Sequence, residues 1–193
     1  GAAENNTLRF TDTDTATQTN QQIGQIEFKS NDASGDGALV RSFILSASED
    51  VTPSAYISFG TNPGGAGNTT DERMRVTGTG HLLVGTQTAH ASTSTFAGFT
   101  QFPSGASIQK RDGGIVAYFD RLTDDGDIQV FQRDGTTVGS ISTVASNIAI
   151  GKDDTALYIS AATDSLTPTT LTSGVPVERD GGIDIGRSSA RFK

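Results

Sequence analysis

Three observations predict an all-β chain. Apolar residues come in short runs, several alternating with polar ones, and each run is bounded by Gly, Pro, Asn, Asp or Ser. Turn-forming pairs such as Asp134-Gly135 recur between the runs. No window sustains the 3.6-residue period of an amphipathic helix. The hydrophobic fraction is 34%, with no Trp and one Met, so each strand offers few large apolar side chains to a core.

In chain order, Leu8-Arg9-Phe10 reads as a first short strand, followed by a polar turn in the Thr/Asp run 11–15. Ile23, Ile26 and Phe28, interleaved with Gln25, Glu27 and Lys29, predict a half-buried strand. Residues 30–37 are dense in turn formers. Leu39-Val40 and Phe43-Ile44-Leu45 form the richest apolar patch of the first half, ended by Glu49 to Ser54 with Pro53. Tyr56 to Gly60 is a further strand, and 61–68 a Gly-rich loop. Glu72 to Thr86 then reads as strand, turn, strand. Met74 and Val76 alternate with Arg73, Arg75 and Thr77, and Gly78 and Gly80 are expected to supply the positive φ of the reversal.

The small polar residues from Thr86 to Thr95 read as a linker. Phe96, Phe99 and Phe102 recur at every third position, but Gly98, Pro103 and Gly105 crowd them, so an extended or irregular core segment is expected. In the second half a basic residue, an Asp and a turn residue precede each apolar run. The instances are Arg111-Asp112-Gly113-Gly114 before Ile115–Phe119, Arg133-Asp134-Gly135-Thr136 before Thr137–Ile141, Lys152-Asp153-Asp154-Thr155 before Ala156–Ile159, and Arg179-Asp180-Gly181-Gly182 before Ile183–Gly186. Their uneven spacing indicates a series of hairpins, not a regular solenoid. The expected organisation is an N-terminal β module over 1–86, a linker over 87–95 and C-terminal hairpin repeats over 96–193.

Composition narrows the function. A net charge of −8 without clustered Lys and Arg argues against nucleic acid and anionic membrane surfaces. No apolar stretch approaches the ~20 residues of a spanning helix. No cysteine provides a disulfide or a thiolate ligand. No signal-peptide pattern is read, and Gly1 in place of Met predicts a start inside a longer protein. Short hairpins with few apolar side chains are marginal alone. A narrow core shared by several chains around one axis solves this, so an elongated obligate oligomer is expected.

Several stretches resemble a known family. Glu72–Thr86 resembles the strand-turn-strand repeat of bacteriophage tail fibres, and Asp127–Ile141 resembles a second such repeat. Gly182–Lys193 is similar to the segment that leads into a C-terminal intramolecular chaperone of the endosialidase type. Gln21–Phe28 and Ser30–Gly35 resemble modules that precede these repeats. The resemblance implies a homotrimeric, β-rich fibre in the tail of a phage or phage-like particle, made in the cytoplasm of the host bacterium. Its implied partners are other tail or baseplate proteins and a host surface receptor such as a polysaccharide. It places Lys193 just before the chaperone, so no self-cleaving residue is carried over.

No catalytic, cofactor-binding or metal site is expected. His81 and His90 are the only imidazoles, and nothing in the sequence places a nucleophile and an orienting acid beside either. Asp120, Asp124, Asp125 and Asp127 are candidates for a glycosidase carboxylate pair. A solvated turn around Gly126 explains them more simply. Asp12, Asp14, Asp32 and Asp36 are oxygen-rich but lack an ordered calcium loop with its terminal Glu. The Gly60–Gly67 loop lacks the Gly-Lys-Ser/Thr end of a phosphate loop, and Asn5 and Asn68 match a glycosylation pattern without meaning in a bacterial product. The expected role is therefore structural and non-enzymatic: a fibre segment serving host attachment, with loops 62–70 and 163–173 as candidate contacts. Alternatives are a polysaccharide-degrading tail spike and a bacterial trimeric adhesin.

Overall fold

The computed structural model describes residues 7–32, 37–64, 69–89, 97–170, 177–178, 186–187 and 190–191. These residues contain strands and turns and no helix. The chain divides into two compact units, Gly1–Ala117 and Tyr118–Lys193. The expected linker at 87–95 falls within the first unit, and residues 90–95 of it, with His90 and Phe96, lie outside the described residues.

The first unit is one antiparallel meander of seven strands in chain order. Its strands are β1 (Gln22–Ser30), β2 (Leu39–Ser48), β3 (Ala55–Thr61), β4 (Asp71–Val76), β5 (Leu82–Val84), β6 (Gly98–Gln101) and β7 (Ser107–Lys110). Leu39-Val40 and Phe43–Leu45 belong to a single strand, and the turn at 49–54 ends it as expected. The turn is held by its own polar side chains: Asp50 accepts hydrogen bonds from the Thr52 hydroxyl and amide.

The β4–β5 hairpin forms where expected, with one correction. Gly80 has φ +85° and its amide donates to the Thr77 carbonyl. Gly78 is not left-handed. It is small because the 49–54 turn lies against it: a Cβ there would stand 2.5 Å from Ser54 Oγ. The Gly78 amide and the Ser54 hydroxyl both donate to Glu49 Oε2, at 3.2 and 2.8 Å. One carboxylate thus ties together two turns far apart in sequence.

Leu8–Phe10, expected as a strand, pairs with nothing regular. Phe10 instead packs onto the bare backbone of Gly24 in β1. Ile115–Phe119 is the larger correction. It has the composition of a strand but forms none, and the whole stretch 111–125 is irregular.

The second unit is a six-stranded antiparallel meander with the order β13-β12-β11-β10-β9-β8. The strands are β8 (Gly126–Arg133), β9 (Thr136–Val144), β10 (Asn147–Lys152), β11 (Thr155–Ser160), β12 (Ser165–Thr170) and β13 (Val177–Glu178). A separate pair joins β14 (Gly186–Arg187) to β15 (Ala190–Arg191). The hairpin at Asp134-Gly135 has φ +50° and +76°, the geometry Asp-Gly favours, and Asp153 enters the β10–β11 turn at φ +49°. Between them Ala145 and Ser146 make a turn with φ +47° and +63° that no glycine announces. The basic-Asp-Gly instance at 179–182 lies outside the described residues. The expected exposed loop at 163–173 is corrected: residues 165–170 of it are β12.

Candidate functional site

In each unit the strand pairing gathers most of the large aliphatic side chains on one face, and within that unit, among the described residues, no second sheet or helix lies over it. In the first sheet, Ile26, Ile44, Phe59, Met74, Val84 and Phe99 are successive cross-strand neighbours from β1 to β6. Ile57, Val76 and Leu82 form a parallel row beside them. Ile26, Ile57, Val76 and Val84 are each more than 40% exposed. At the β1 end this face opens into an apolar cleft whose lining includes Phe10, Ile23, Ile26, Ile44 and Ile57.

The opposite face holds most of what is buried: Ala47, Tyr56, Ser58, Leu83 and Thr100. The alternation seen in the sequence of β4 is therefore real but inverted relative to a water-soluble sheet. Met74 and Val76 sit on the open face, and Arg75 on the covered one. Arg75 makes two hydrogen bonds of 2.6 Å to the Glu72 carboxylate and lies 3.9 Å from the Tyr56 ring centroid. Burial works against the Arg75 charge, but the bonds to Glu72 and its negative charge outweigh it and raise the guanidinium pKa. A bidentate pair stacked on an aromatic ring is a structural clamp, well suited to Arg.

The second sheet repeats the division. Thr143, Ile148, Ile159 and Leu166 are cross-strand neighbours, as are Ile141, Ile150, Leu157 and Pro168. Ile148, Ile150, Ile159 and Leu166 are about half exposed, while Ala149 and Thr169 on the other face are wholly buried. That other face is rich in hydroxyls that satisfy one another: Ser140 with Ser142, Ser165 with Thr167, and Thr169 with the Val177 carbonyl.

The candidate chemical residues have local structural tasks. Asp124 bridges Arg121 at 2.8 Å, Asp125 accepts the Ala145 amide at 2.6 Å, and Asp127 accepts the Ser142 hydroxyl at 2.6 Å. These carboxylates hold the entry into β8 and the 145–146 turn. His81 Nδ1 is 2.9 Å from Thr79 Oγ1, and its ring meets Phe102 edge-on, which closes the β4–β5 turn. Asp12 and Asp14 accept from the amides two residues on, those of Asp14 and Ala16, and from Gln21 Nε2. Asp36, Asn5 and Asn68 lie outside the described residues, as does part of loop 62–70. Among the described residues, no three His, Asp or Glu side chains are grouped to hold a metal.

The uncovered aliphatic rows were not legible as a site, because alternation in sequence does not tell which face is covered. No family model matches this chain, and no curated protein matches it.

Proposed function

We propose that this chain is a structural, non-enzymatic segment of a bacteriophage tail fibre, or of the fibre of a phage-like particle, that works as a homotrimer in host attachment. The observation that carries the reading is the pair of single-layer sheets with their aliphatic rows open. Burying a half-exposed Ile or Leu contributes roughly 1 kcal/mol, so the rows together offer several kcal/mol per chain to whatever covers them. Contiguous exposed apolar side chains mark interaction surfaces in soluble proteins. Three copies around one axis would convert the rows into a shared core. The tail-fibre identity rests on the resemblance of Glu72–Thr86 and Asp127–Ile141 to fibre repeats. The partners in this reading are two further copies, neighbouring tail or baseplate proteins and a host surface receptor such as a polysaccharide.

Molar mass by light scattering on a sizing column tests it. The expected result is the mass of three chains, eluting earlier than a globule of that mass. A folded monomer at micromolar concentration would refute the shared core. Binding of the trimer to host polysaccharide without release of reducing sugar is expected; release of sugar would identify a depolymerase instead.

A further inference from the structure

The stretch between β7 and β8 has the composition of a strand but belongs to no sheet. Ile115, Val116, Tyr118 and Phe119 are all more than half exposed, Tyr118 at 79%, and Leu122 beyond them at 90%. Among the described residues, no backbone amide or carbonyl from Val116 to Asp120 takes part in a hydrogen bond. β-branched and aromatic residues in sequence favour a strand, and exposing them in isolation is unfavourable.

Local turns and hydrogen bonds fix the chain on either side of this segment. Gly113 and Gly114 turn the chain at φ +66° and +77°, and Arg111 Nη1 caps the Ile115 carbonyl at 3.1 Å. After the segment, Arg121 Nε donates to the Asp124 carbonyl at 2.9 Å, and Asp125 is fastened to the 145–146 turn. The chain also carries an acceptor. β8 is the edge of its sheet, is eight residues long and is paired only with β9. Its exposed Val130 and Phe131 are apolar, like the segment.

We propose that Ile115–Phe119 adds as a strand to the open edge of β8 in a second copy of the chain. The occupant is a second copy because each chain carries both the unpaired apolar segment and, in β8, an open edge with exposed apolar side chains to receive it, a head-to-tail contact that closes into a ring when the rotation between copies is a simple fraction of a turn. The segment is uncharged from Ile115 to Phe119, so no ion is desolvated by the pairing. It rests on the homo-oligomeric reading above, and it specifies how the copies are laced.

The test combines light scattering with amide hydrogen exchange on the intact assembled chain. Alternate amides within Val116–Phe119, those facing the β8 edge, are expected to exchange ~100-fold more slowly than in an unstructured peptide. An assembled trimer whose 116–119 amides all exchange freely would overturn the inference and leave the oligomer standing. A monomer would overturn both. To separate pairing between chains from pairing within one, Tyr118→p-benzoylphenylalanine chains are mixed with heavy-isotope chains during refolding and irradiated. Cross-links from light position 118 to heavy peptides of 126–133 are expected; cross-links confined to one chain would overturn the inference. Ala117→Pro, which removes one donor and leaves the unpaired monomer segment intact, is expected to reduce the trimer fraction; an unchanged fraction would count against it.

Discussion

Glu72 and Arg75 lie on the same face of β4, although residues three apart in a regular strand point to opposite faces. The pairing of β3 with β4 passes from Phe59–Met74 to Gly60–Glu72, so Arg73 is the extra residue of a β-bulge. The bulge turns Glu72 to the side of Arg75 and Tyr56. Glu72→Gln is expected to destabilise the first sheet by about 2 kcal/mol, because it leaves a largely buried guanidinium with a neutral partner. Chemical denaturation checks this. A loss below about 0.5 kcal/mol would reduce the clamp to a surface ion pair.

Beside that bulge, Gly60 faces Phe43 across β2 and β3, and the Phe43 ring lies where a side chain at 60 would begin. Gly60→Ala is expected to cost about 2 kcal/mol by overpacking. In the Phe43→Ala background the same change should cost far less. Additive losses in the double-mutant cycle would show that the ring is not what reserves the position for glycine.

How much of this was legible depends on what each residue needs from elsewhere. Asp134-Gly135 carries its own turn, and so could be placed from the sequence alone. Ala145-Ser146 does not: its left-handed pair depends on Asp125 accepting the Ala145 amide and on Asn147, whose side chain donates to the Ala145 carbonyl and to Tyr158. Ile115–Phe119 has strand composition, but composition does not supply a neighbouring edge. The alternation in β4 was readable, whereas the bulge at Arg73 was not, since it arises from the register with β3. The apolar rows were visible only as scattered Ile, Leu and Phe until pairing aligned them.

The 145–146 turn gives a prediction of the opposite sign. Neither residue favours positive φ, so Ser146→Gly is expected to stabilise the second unit by about 0.5–1 kcal/mol. Asp125→Ala should cost about 1 kcal/mol by releasing the Ala145 amide. Thermal melts of both variants decide it; a destabilising Ser146→Gly would mean that the serine side chain contributes more than its backbone strain costs.

Asp50 has a lowered pKa, chiefly through the hydrogen bond from the Thr52 hydroxyl and then through that from the Thr52 amide, with a small opposing effect of desolvation. For a carboxyl whose folded pKa is depressed, the stabilisation is present above the unfolded value of 3.8 and is lost as pH falls through the lower folded value. Carboxyl titration by NMR should therefore place Asp50 below 3.8. Thr52→Val should move it upward without restoring it fully, because the amide remains. An unmoved titration would assign the shift to the amide alone.

The aliphatic rows are where the proposed assembly is most exposed to test. Ile150 and Ile159 are each about half exposed, on faces that carry no ionisable residue in the rows defined by Ile141 and Thr143. Ile150→Asp and Ile159→Asp should leave the isolated sheet folded, since a partly exposed carboxylate keeps much of its hydration. In a shared core the same carboxylates would be stripped of water and brought close to their counterparts in the other copies, a cost of several kcal/mol per charge. Each variant should therefore give a folded chain by circular dichroism with the mass of a monomer, whereas Ile150→Val should assemble normally. Assembly that survives both Asp substitutions would place the shared surface elsewhere in the chain, and the row from Ile26 to Phe99 in the first sheet would be the next to charge.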